Sequence, residues 1–138
     1  MNRKLRLTCA ALLVIAAGAA CGDDNAGPPT PGTLLLSLTT PAADDGAVLV
    51  RLTGPGITGV QPASSSHQLF WRLASEEEAR AIVIGGIQSG PLLTVHVPDV
   101  RRASEYAAEL GEVAALSDSL RAAITGYSLQ LTRIGAAR

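Results

Sequence analysis

Apolar and polar residues alternate with a period of two through most of the chain after residue 32, the pattern of strands that bury one face. Thr33-Leu34-Leu35-Leu36-Ser37-Leu38-Thr39 predicts a first strand, ended by Pro41. Asp44-Asp45-Gly46 reads as a turn, and a second strand over 47–53 sends Val48, Val50 and Leu52 to one side and Leu49 and Arg51 to the other. Gly54-Pro55-Gly56 breaks the chain, 57–60 adds a short extended piece, and 61–67 is a serine-rich loop. Residues 68–73 and 79–84 predict a hairpin around a charged turn at 74–78 that stops at Gly85-Gly86. Leu69, Trp71 and Leu73 share one face of it, assigned to the core, with Phe70 on the other. Ser89-Gly90-Pro91 opens a strand over 92–97 that Pro98-Asp99 closes, and 127–132 is the last strand.

Residues 104–125 support two readings. Tyr106, Leu110, Val113, Leu120 and Ile124 fall at helical spacing, with Ser104 as N-cap. Against a helix, Gly111 sits mid-segment at a cost of ~1 kcal/mol relative to Ala, and Tyr106, Ala108 and Leu110 alternate as in a strand. The favoured reading is a strand through about Val113, followed by a turn or one short helix over 117–123. The fold expected is therefore mostly β: a single antiparallel β-sandwich of about seven strands over 33–138, with at most one short helix. That length holds one core and not two.

The amino-terminal residues depart from this pattern. Arg3, Lys4 and Arg6 are basic, 7–17 is apolar, and Gly18, Ala19 and Ala20 are small, so 1–20 reads as a signal peptide. The apolar stretch is shorter than the ~20 residues a spanning helix needs. Gly18-Ala19-Ala20-Cys21 resembles the lipobox of bacterial lipoproteins, which implies diacylation of Cys21 and cleavage before it. Gly18 stands where that pattern carries Leu or another aliphatic residue. Ordinary cleavage after Ala19 or Ala20 thus stays open, which makes the product secreted or periplasmic with a free thiol. Residues 22–32 hold no large apolar side chain and are expected to form an extended, mobile tether. Gly22 stands in place of the Asp that retains some lipoproteins in the inner membrane, so the outer membrane is the expected site. Within the domain, Asp45 to Val50 and Gly90 to Pro98 resemble strands of cohesin-type β-sandwich modules, and the chain is similar to small lipoproteins of high-GC bacteria. These resemblances imply a fold and no functional residue.

Charge narrows the partners. All twelve acidic residues follow Cys21, against eight arginines and no lysine, a net charge of −4 beyond the signal region. Only Arg101-Arg102 are adjacent, so neither nucleic acid nor an anionic membrane surface is an expected ligand. With Cys9 in the signal peptide and Cys21 lipidated, the domain has no disulfide and relies on an apolar core.

Candidate chemistry is sparse. His67 lies in the serine-rich loop and His96 on a strand, without a His-x-x-x-His or Cys/His spacing for zinc; solvent and a half-exposed sheet position are their expected places. Ser64, Ser65 and Ser66 adjoin His67, but neighbouring residues give a poor nucleophile–base geometry and no Gly-x-Ser-x-Gly is present. Phosphate-binding glycine loops are absent, and no cofactor is implied. Asp44-Asp45 and Glu76-Glu77-Glu78 read as solvated turn charges, calcium at the first lacking EF-hand spacing. An outward Trp71 could stack on a sugar, but its company favours the core. The expected function is a non-enzymatic interaction or structural module of the cell envelope, membrane-tethered through Cys21, with a protein or glycan partner. The rival is an accessory domain of an envelope enzyme or transporter. Cys21→Ala is expected to abolish palmitate labelling and release the protein from membranes; membrane association that survives the substitution overturns the anchor.

Overall fold

The computed structural model describes residues 27–135, so the signal peptide, Cys21 and the first half of the expected tether lie outside the described residues. Eight strands follow in order: β1 Gly32–Thr39, β2 Asp45–Thr53, β3 Gly59–Pro62, β4 Gln68–Leu73, β5 Glu78–Ile87, β6 Gly90–Val97, β7 Ala107–Ala115 and β8 Ser128–Arg133. One 3-10 helix, η1 Val100–Glu105, joins β6 to β7. The strands make two four-stranded antiparallel sheets, ordered β3-β6-β1-β8 and β4-β5-β2-β7. The expected antiparallel β-sandwich is what forms, with eight strands against about seven. Among consecutive strands only the β4–β5 hairpin stays within a sheet; every other connection crosses between the two.

Alternation explains the core. Leu34, Leu36 and Leu38 of β1 face Val48, Val50 and Leu52 of β2, and all six are almost fully buried. Val83, Leu93, Val95 and Val113 complete the same cluster. Among the described residues both sheets and the whole cluster lie between residues 32 and 133, so a chain starting at Gly27 carries both sheets and the core between them.

Several boundaries differ from expectation, each for a local reason. The strand reading of 104–125 holds for β7, and Gly111 is the extra residue of a bulge opposite Leu49 and Val50 rather than a helix breaker. No helix forms over 117–123; that stretch turns, and Leu120 makes a single bridge to Ala114. The one helical segment lies earlier, where Asp99 rather than Ser104 is the N-cap, accepting from the Arg101 N–H. β5 continues through Gly85 and Gly86 to Ile87, Gly85 taking φ 150° beneath the ring of His67. Trp71 is not a core residue. Leu69, Trp71 and Leu73 do share the side of Val83, Ala81 and Ala79, but β4 is an edge strand, leaving Trp71 37% and Leu73 51% exposed.

Each end of the sandwich is closed by a buried aspartate. Asp45, read from sequence as a solvated turn charge, is fully buried at the bulged start of β2. Its carboxylate accepts from Thr40 Oγ1 at 2.5 Å, Tyr127 Oη at 3.0 Å and Arg121 Nη2 at 3.0 Å. Arg121 also pairs with Asp44. Burial pushes the Asp45 carboxyl up, but the hydrogen bonds from Thr40, Tyr127 and Arg121, with the charge of Arg121, outweigh it and hold the group below its ordinary value. At the other end Asp99 accepts from the guanidinium of Arg101 at 2.7 Å and from the Thr30 N–H at 3.3 Å. The Arg101 hydrogen bonds hold Asp99 well below the usual carboxylate range against the opposing effect of burial. Arg101 also donates to the Gly27 carbonyl and the Val100 N–H to the Thr30 carbonyl, so the segment 27–31 lies against η1. Beside it, Tyr106 Oη donates to the Pro55 carbonyl at 2.6 Å, and its ring covers Gly54, which takes φ 148°.

Asp45→Asn keeps the shape and removes the charge that three donors share. We expect a loss of about 2–3 kcal/mol at pH 7, the range for hydrogen bonds to a charged group. Because the folded pKa lies below the unfolded one, this stability is present above pH ~4 and lost as pH falls through the folded value. Urea titrations of the parent and variant should therefore converge in acid; a pH-independent gap overturns the assignment.

Candidate binding face

The outward positions of the two sheets differ in kind. On β3-β6-β1-β8 they carry Gln61, Thr94, Ser37, Thr132, Gln130 and Ser128, with Leu35 the one large apolar residue among these strands' outward positions. On β4-β5-β2-β7 they form three rows. Gln68, Ile84, Ala47 and Ala114 make the first, and Phe70, Ile82, Leu49 and the Gly111-Glu112 bulge the second. The third is Arg72, Arg80, Arg51 and Glu109. Phe70 is 60%, Ile82 42% and Ile84 40% exposed.

Local sequence accounts for this face. Isoleucine at 82 and 84 alternates with Ala81 and Val83, so β5 is apolar on both sides, as in a strand covered twice. Only the inner side is covered. A hollow of about 310 Å³ lies among Phe70, Ile82, Leu49 and the stems of Arg72 and Arg80, with Trp71 at its rim. A second, of about 230 Å³, opens over Gly111 between Leu49, Arg51, Arg80 and Glu109. Arg80 separates the two and is paired with Glu78; Arg51 is paired with Glu109. Arg72 enters no ion pair among the described residues. Positive charge thus gathers toward β4 and negative charge, from Glu109 and Glu112, at β7.

The other sequence candidates lie elsewhere. His96 sits on the outward side of β6, its Nδ1 3.2 Å from Thr33 Oγ1, a half-exposed sheet position as expected. His67 is half-buried rather than solvated, its Nε2 3.4 Å from the Gly86 carbonyl. Ser64 and Ser66 bond each other and not His67. Asp44 and Asp45 are taken up by Arg121, Glu78 pairs with Arg80, and Glu76 and Glu77 stay in the exposed turn. Among the described residues no group of three or more His, Cys, Asp or Glu is placed to hold a metal ion. A further hollow, among Thr53, Gly54, Ser75, Glu77 and Arg102 at the η1 end, is polar and wide open, and its Arg102 is paired with Glu105.

No protein-family model matches this chain, and comparison with curated proteins and with solved structures finds no significant similarity. The candidate face therefore rests on its own physical character.

Sequence reasoning placed Phe70 opposite Trp71 and Leu49 opposite Val48 but left the face they share unassembled. The available signal was a strand, β5, with apolar residues in both parities.

The outward residues of this face contribute little to the fold. Ile82→Thr is expected to change stability by less than about 1 kcal/mol, whereas Val83→Ala, one position away and fully buried, costs about 2–3 kcal/mol. Equal losses in chemical denaturation overturn the distinction between the faces.

Proposed function

We propose that the protein is a lipid-tethered, non-enzymatic interaction module of the bacterial cell envelope that meets its partner through the outward face of β4-β5-β2-β7. One observation carries the reading: Phe70, Ile82 and Ile84 are exposed around the half-buried Leu49 on that sheet, while the opposite sheet presents mainly Thr, Ser and Gln. A contiguous exposed apolar patch rimmed by charge is characteristic of an interaction surface. The anchor rests on the lipobox-like Gly18-Ala19-Ala20-Cys21. Cys21 lies six positions before Gly27, whose carbonyl is bonded to Arg101, a separation over which a chain reaches at most about 22 Å.

A second reading has its own observation. Trp71 is 37% exposed at the sheet edge, on the side of β4 opposite Phe70, and an indole open to solvent suits stacking on a sugar ring. Peptidoglycan that quenches Trp71 emission and pulls down the protein, but not its Trp71→Ala variant, favours this reading.

The test of the main reading uses a photoreactive phenylalanine analogue at position 70 or 130 of the full chain in cells. Cross-links are expected from position 70 and not from 130 on the opposite sheet. Equal yields, or none from 70, overturn it.

A further inference from the structure

Resting on the reading of this face as the interaction surface, we infer that its occupant is a second copy of this chain, packed face to face about a two-fold axis parallel to the strands. Such an axis lays β4 of one copy over β7 of the other and β5 over β2. The face is self-complementary under that operation in both volume and charge.

Volume comes first. The large outward side chains Phe70, Ile82 and Ile84 stand on β4 and β5, and the small ones, Ala47, Gly111 and Ala114, on β2 and β7; Leu49, the large apolar residue of β2, comes under Ile82 of the other copy as an apolar contact. The two-fold seats Phe70 in the hollow over Gly111 of the other copy and Ile84 on its Ala47. Gly111 keeps that hollow open, since a Cβ there would meet Leu49 Cδ2 at 3.2 Å. Isologous interfaces of this kind require that each patch fit itself.

Charge follows the same operation. Arg72, which makes no ion pair among the described residues, comes over Glu109 of the other copy. Arg80 meets the opposite Arg51, but each keeps its own carboxylate, Glu78 and Glu109, beside it.

The axis is chosen by the tether. Gly27 and η1 lie at one end of the strands, so an axis parallel to them puts both amino-terminal ends on the same side of the dimer. Two anchors in one membrane require this; an axis across the strands sends them to opposite ends.

Area sets the strength. Four strands about 4.8 Å apart and about 28 Å long give a footprint of about 500 Å² per copy. The total of about 1,000 Å² is at the low end for a specific interface, the size of a transient association. Confinement to a membrane raises the effective concentration of each copy for the other.

Sedimentation equilibrium of residues 27–138 should show a monomer–dimer equilibrium, and Phe70→Glu, folded by its circular dichroism and melting, should weaken it at least tenfold. Geometry is tested with Gln68→Cys and Ala114→Cys. The two positions lie three strand spacings apart in one chain, about 14 Å, beyond the ~7 Å Cα limit for a disulfide. The double variant is expected to form disulfide-linked dimers and each single variant none. Monomers at every concentration, a dimer insensitive to Phe70→Glu, or linkage by Gln68→Cys alone overturns the inference. Monomers together with cross-links from position 70 to a partner of different mass remove self-association and leave the binding face standing. Monomers without any such cross-link remove both.

Discussion

Everything in this sandwich depends on a carboxylate that water does not reach. Asp45 stands where β1 has just ended and β2 begins, and its donors come from three stretches far apart in sequence: Thr40 after β1, Arg121 in the β7–β8 connection and Tyr127 just before β8. Since β1 and β8 belong to one sheet and β2 and β7 to the other, one side chain ties both layers at the same end. A buried charge lacking those donors is costly, so the network specifies as well as stabilises. It forms only when the β1–β2 and β7–β8 connections are both in place. With most connections passing between sheets, long-range pairings dominate, and such topologies fold slowly.

Period two made most strands legible, because a side chain's parity is a local property of the chain. Leu34, Leu36 and Leu38 declare a buried face without reference to anything else. Neighbourhood is not local. Trp71 has the parity of a core residue, and only the sheet order, with β4 at an edge, leaves it open to solvent. Asp45 looked like a turn residue because its partner Arg121 lies 76 residues away. Gly111 was correctly read as a fault in a helix, but the bulge it makes appears only with the register against β2.

The proposed binding face illustrates the same limit. Phe70, Ile82 and Leu49 come from three strands and are adjacent only through the antiparallel registers of β4 with β5 and of β5 with β2. Chemistry-bearing motifs would have shown in spacing; a surface assembled across strands does not. The proposed anchor is the reverse case, resting on the pattern of residues 1–21 alone.

The contact between Gly54 and Tyr106 has a consequence for which sequences this fold tolerates. A Cβ at position 54 would lie 2.2 Å from Tyr106 Cδ1, so no side chain fits there while the tyrosine stays. The two positions are locked to each other over descent: replacing the glycine demands a smaller residue at 106. That exchange releases the Pro55 carbonyl from Tyr106 Oη at the residue that follows η1. Since η1 also grips Gly27 and Thr30, a change at position 54 is felt where the chain leaves the sandwich. Drift at one buried glycine thereby reaches the segment 27–31 that lies against η1.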